Sequence, residues 1–259
     1  MPWNLVPIYL QLPAFMLVLF RVGGLMFSAP MFGSNVIPIR IKAFFSIAIA
    51  IMVFPIVMPD LITELSLGMA LIGILGELMI GLMLGFSLTL IFTGVQLGGQ
   101  IIGQQAGIGL AEVFNPVLDS ESTGISQIYF FVAFLIFLAV GGHHALVRAM
   151  LDSFATIPVM AYTFDATPVE LISTLAKSAY GLSLQVAGPI LIALFLTTLS
   201  LGFISRTVPQ LNILAVGFTI RVMVALFVTA MTIALCQDVL TQKFDEAFAI
   251  LRDALRLDQ

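Results

Sequence analysis

Few residues in this chain could do chemistry. Glu77 lies inside "LIGILGELMIGLMLG", a stretch otherwise free of charge. A lone carboxylate in hydrocarbon costs at least about 2.5–3.5 kcal/mol, so it must face protein or water. A proton relay is one use for it. No second acid stands at relay spacing in that run, so the favoured expectation is a structural contact to a neighbouring chain. His143 and His144 follow "LAVGG". Adjacent helical residues point about 100° apart and cannot chelate one metal as an i, i+4 pair does. With 2 histidines and 1 cysteine in the whole chain, no metal site is expected. Gly141–Gly142 reads as a helix end or kink, with His143 hydrogen-bonded at it.

Arg206 and Arg221 bracket "TVPQLNILAVGFTI". The plain reading is an interfacial anchor and a snorkelling side chain. The favoured one is a hairpin tip, where Pro209 breaks the helix and Gln210 and Asn212 satisfy the freed backbone groups. Gln96, Gln100 and Gln104 recur every four residues and form one stripe of a helix, with Gly99, Gly103 and Gly107 as a neighbouring stripe. The glycines admit a second backbone, and the glutamines can hydrogen-bond across the contact. Helix glue within the chain is one reading; a subunit seam or the wall of an aqueous passage is the other, and both stay open. Beyond this stripe, "AEVFNPVLDSES" carries Glu112, Asp119 and Glu121 without a basic residue.

No Walker loop, dinucleotide fingerprint, nucleophile elbow or HExxH is present, so neither an enzyme nor a cofactor is expected. No basic patch offers to track phosphates, which leaves nucleic-acid binding without support. Cys236 sits in an apolar run and reads as a small core hydrophobe.

The elements that must position these residues belong to a membrane. The composition is 60% hydrophobic and 9% charged, against about 25% charged in soluble domains. Apolar runs at about 8–30, 42–59, 67–98, 125–142, 178–205 and 213–236 have the length of spanning helices. No strand alternation competes, so the fold class is all-α: a polytopic membrane protein of kinked helical hairpins. Pro13, Pro55 and Pro189 predict the kinks. Residues 78–111 contain no charge and as one helix would extend roughly 50 Å, so they must tilt, break or enter protein. The start has no Lys or Arg before its apolar run, so that run is expected to be retained rather than cleaved. Six regular spans would group Arg148, Lys177, Lys243, Arg252 and Arg256 on one side, favouring it as cytoplasmic. Phe244, Phe248, Leu251 and Leu255 predict a short amphipathic helix in the tail. "FRVGGLMFSAPMFGSNVIPIRIK" and "LSLGFISRTVPQLNILAVGFTIR" align without gaps, matching Gly23 to Gly202, Pro30 to Pro209 and Lys42 to Arg221, as two hairpins of one design would.

In chain order, "GQQAGIGLAEVFNP", "FLAVGGHHALVRAMLDSF" and "RTVPQLNILAVGFTIR" resemble the FliR family of flagellar biosynthetic proteins, homologous to the T subunit of virulence type III secretion systems. Thr219 departs from the family pattern, which holds proline there. The resemblance spans nearly the whole chain. It implies a P-subunit-like part over 1–177, a Q-subunit-like hairpin over 178–236 and a tail over 237–259. It implies FliP- and FliQ-type partners in a helical assembly, and FlhB- and FlhA-type export proteins beside it. The site it implies is the bacterial inner membrane at the flagellar basal body, and the cargo is unfolded flagellar protein. It also implies a pore plug around Gly107, Gly109, Leu110, Val113, Phe114, Asn115 and Pro116. The competing expectations are an injectisome subunit and a small proton-coupled transporter with Glu77 and Arg206 at its core.

Overall fold

The computed structural model describes residues 8–30, 37–57, 67–108, 123–162, 167–208, 210 and 212–255. All regular structure among them is helical: α1 (Ile8–Ser28), α2 (Ile39–Val57), α3 (Leu67–Ala106), α4 (Gly124–Ala139), α5 (Gly142–Thr156), α6 (Thr167–Thr207) and α7 (Ile213–Ala254). Helix is what a greasy chain can form without exposing backbone groups to lipid. Pro13, Pro55 and Pro189 each lie within a continuous helix rather than ending one.

Among the described residues, four helices are long and apolar enough to cross a membrane: Ile39–Val57, Leu71–Ala106, Pro168–Thr207 and Ala215–Ala234. The run at 8–30 forms the 21-residue α1, within which Leu12–Ser28 is an apolar stretch. The run at 125–142 stops at Ala139, where Gly141 at φ 77° begins a new helix. Gly141–Gly142 is therefore the helix end expected of it. α5 itself was invisible to hydropathy because its charges and histidines dilute an apolar face of Leu146, Ala149, Met150 and Phe154.

The tail corrects its expectation. It is no separate helix: α7 runs unbroken through Ala254, and Phe244, Leu251 and Leu255 are buried. Cys236 is buried and free, as a core hydrophobe would be. Ser28 and Thr207, which the internal alignment pairs, both close a helix.

The chain forms two compact units. The first comprises Met1–Leu90, Gly141–Leu175 and Glu246–Gln259; the second comprises Ile91–Val140 and Ala176–Asp245. In the first, α1 and the start of α3 meet backbone to backbone. A methyl on Gly24 would stand 2.8 Å from the Leu78 carbonyl, and one on Gly81 would lie 2.9 Å from the Leu25 nitrogen and overlap the Arg21 carbonyl. In hydrocarbon such close approach replaces the missing hydrophobic drive for association. Thr89 seals the crossing by donating to the Ser28 carbonyl. The second unit centres on Phe92, with Phe137 and Phe244 at ring-centroid distances of 5.6 and 5.4 Å.

Candidate functional site

The first unit encloses a polar centre in an apolar core. α1 turns Arg21 inward among Val18, Val22 and Leu25, and α3 turns Glu77 inward beside Ile80; both charged side chains are 0% exposed. The guanidinium Nε donates to Glu77 Oε2 at 2.5 Å. Its Nη1 donates to the Ser153 carbonyl at 2.8 Å and to Ser153 Oγ at 3.2 Å, and Nη2 donates to the Ile157 carbonyl at 3.0 Å. The Phe154 ring lies 4.1 Å below the guanidinium carbon. Those carbonyls belong to the last turn of α5 and its C-cap; that of Ser153 also accepts the Ile157 N–H at 2.9 Å, while that of Ile157 lies past the helix's own ladder, where carbonyls otherwise go unpaired. One cation therefore neutralises an acid, caps a helix and stacks on a ring. Arginine suits this because its planar fork serves several acceptors at once and is weakly hydrated for a cation.

Glu77 spends its other oxygen on the turn after α5, with Oε1 accepting the Met160 N–H at 2.9 Å. Met160 has φ 68°, in the left-handed region. The Ala161 N–H donates to the Pro158 carbonyl at 2.9 Å, closing a four-residue turn around it. A small recess of about 110 Å³ opens beside this turn, between Gly73 and Gly76 on α3 and Met160 and Tyr162.

Glu77 is thus held by its own chain, which corrects the expected contact to a neighbour. A signal for its partner existed but did not fix the pairing: Arg21 also sits within an apolar run, and a cation there needs an acid just as an acid needs a cation. Ser153, Phe154 and Met160 carried no such signal. Nothing in their local sequence marks the carbonyls and the amide that the site recruits.

The Gln/Gly stripe lies in the second unit. A methyl on Gly99 would approach the Ser126 Cα at 2.5 Å, and one on Gly103 the Thr123 Oγ1 at 2.8 Å, so the glycine stripe is filled by the start of α4. Gly94 and Gly98, one helical face away, take Ala179 and Ser183 of α6 in the same manner. Gln96 and Gln100 are half-buried and Gln104 is exposed. Gly107, at φ 87°, ends α3. Its N–H bonds the Gln104 carbonyl at 3.1 Å and the Ile108 N–H bonds the Gly103 carbonyl at 3.0 Å, the paired closure that a left-handed glycine permits. Gly109, Leu110, Val113, Phe114, Asn115 and Pro116 lie outside the described residues.

At the hairpin, α6 ends with an exposed Arg206, Gln210 is exposed, and Asn212 Oδ1 accepts the Ala215 N–H at 3.3 Å to start α7. Pro209 is outside the described residues. Arg221 Nε returns to the Gly217 carbonyl at 3.3 Å. Leu201 would meet a methyl on Gly217 at 3.4 Å, so the two helices touch near the tip. His143 corrects its expectation: buried Nδ1 finds no hydrogen-bond partner among the described residues, and its ring lies 4.0 Å from that of His144. No cluster of metal-binding side chains occurs among the described residues.

Among the described residues, four apolar helices of spanning length, with a buried arginine–glutamate pair sealed between α1 and α3, define an all-α polytopic membrane protein. Residues 12–247 match the family described as bacterial export proteins, family 1, and the chain belongs to that family. It is similar to the flagellar biosynthetic protein FliR of Bacillus subtilis, at 28% identity over 95% of each chain. It is also similar to FliR of Escherichia coli, at 27% identity over 92% of this chain and 90% of that one. FliR of Aquifex aeolicus shares 24% identity over 89% of both.

Proposed function

We propose that this chain is a subunit of the bacterial flagellar protein export apparatus, and that it builds part of the gate through which unfolded flagellar proteins leave the cell. It would act in the inner membrane at the basal body. Family membership and the FliR relatives support the export role.

One observation carries the finer reading. α3, α6 and α7 are 40, 41 and 42 residues long, about 60 Å each, twice the hydrocarbon thickness of about 30 Å. A lipid sleeve cannot cover such rods. In α2, α6 and α7 the most apolar stretch is only 17% buried within the chain, against 61% in α3. The uncovered oil calls for other polypeptides, which FliP- and FliQ-type subunits would supply, with FlhB- and FlhA-type proteins beyond them. In this reading α3 is the wall of the unit and the others are contact surfaces. Gly107 stops the wall, and the residues from Gly109 to Pro116 serve as the plug. The glutamine side of the stripe faces the seam or passage, because the glycine side is already taken by α4.

The transporter alternative loses its proposed core, since Glu77 is satisfied by Arg21 and Met160 while Arg206 is exposed. The flagellar relatives favour the flagellum over the injectisome.

Co-expression with FliP- and FliQ-type subunits, followed by native electrophoresis, tests the assembly. The chain should migrate as one complex with both; a stable solitary species with unchanged thermal stability would end the proposal. Deleting 109–119 should preserve that complex and make the membrane leak small ions. Unchanged conductance with normal secretion would remove the plug.

A further inference from the structure

The turn after α5 has the wrong residue for its shape. Pro158 to Ala161 is closed by the Ala161 N–H on the Pro158 carbonyl, and of its residues only Met160 has positive φ, at 68°. Positive φ at the third position alone is the type II turn, which calls for glycine there. A methionine at that position carries a steric cost that its surroundings must sustain. The common type I turn suits any residue and differs by a half-rotation of one peptide plane, the Val159–Met160 peptide. That plane carries the Met160 N–H, which points to Glu77 Oε1 at 2.9 Å.

We propose that the Pro158–Ala161 turn is a two-position latch, held in its strained form by the Glu77 carboxylate and released by rotation of the Val159–Met160 peptide. In the held form the carboxylate accepts the Met160 N–H. In the released form the Val159 carbonyl would face the same oxygen, acceptor against acceptor, so that oxygen selects the strained turn. Arg21 fixes the selector: its Nε binds the other carboxylate oxygen, and its Nη2 grips the Ile157 carbonyl one residue before the turn. The side chains of Met160 and Tyr162 wall the 110 Å³ recess against Gly73 and Gly76, so a rotation at Met160 would reshape that recess. The device is independent of the export reading.

Glu77→Gln separates the two forms. Its amide oxygen stays on Arg21 Nε, which places the NH₂ against the Met160 N–H, donor against donor, and favours the released turn. In the full chain purified with its membrane complex, deuterium uptake over 157–162 should quicken by about tenfold or more, and adding Met160→Gly should restore slow uptake. Alone, Met160→Gly should raise the melting temperature of that complex above that of Met160→Ala, because glycine removes the strain and alanine keeps it. Unchanged uptake in Glu77→Gln would overturn the latch. So would a melting temperature for Met160→Gly at or below that of Met160→Ala, and this comparison decides the matter if Glu77→Gln fails to accumulate.

Discussion

At the scale of single residues, the charged pair dominates. Removing one partner of a buried pair leaves an uncompensated charge and costs about 3–5 kcal/mol, whereas removing both with apolar groups of similar volume is often neutral. Arg21→Met should therefore abolish accumulation of folded protein. The double change Arg21→Met with Glu77→Leu should recover part of the loss, read as protease resistance in membranes. Recovery stays incomplete because the Ile157 carbonyl loses its side-chain donor, while that of Ser153 keeps only the Ile157 N–H. Arg21→Lys keeps the charge but not the fork that reaches four acceptors, and should fall between wild type and Arg21→Met. The sequence showed that Glu77 needed a partner, yet it did not show where. The pairing joins residues 56 positions apart, and the remaining ligands are backbone atoms whose positions exist only once α5 ends.

At the scale of elements, glycine placement sorts the helices. Gly81→Ala would drive a methyl into the α1 backbone, while Gly23 has nothing within 4 Å of its hypothetical methyl. The first substitution should lower the melting temperature of the purified complex sharply. The second should leave it unchanged or raise it slightly, since alanine is the better helix former by about 1 kcal/mol. Gly99→Ala should behave like the first, because Ser126 is already at contact distance. Helix existence was legible from apolar runs, and the Gly/Gln periodicity pointed to a close approach. Which surface fills that approach was not legible: a stripe that accepts a foreign helix and one that accepts α4 have the same spacing. α5 was missed because its burial uses a narrow face in a segment with charges, and the tail was detached because charges there hide a helix continuous with α7.

At the scale of the whole molecule, length decides more than composition. Residues 78–111 were expected to exceed one bilayer crossing, and the 40-residue α3 does so. Two further helices of similar length were not expected, since charges at Glu170, Lys177 and Asp238 interrupt the apolar windows without interrupting the helices. On the assembly proposed above, the chain expressed alone should be degraded faster than with FliP- and FliQ-type subunits, measured by pulse-chase in membranes. Equal half-lives would argue that its oil is covered by lipid alone.

Arg21 also sets an order of events during synthesis. Ribosomes add roughly 5–20 residues per second, so α1 emerges several seconds before its counter-charge in α3, and later still comes the α5 terminus that completes the site. A bare guanidinium is poorly tolerated in the hydrocarbon interior. The nascent α1 must therefore wait at the headgroup surface, or in the care of an insertase, until α3 arrives and the two enter as a neutral couple.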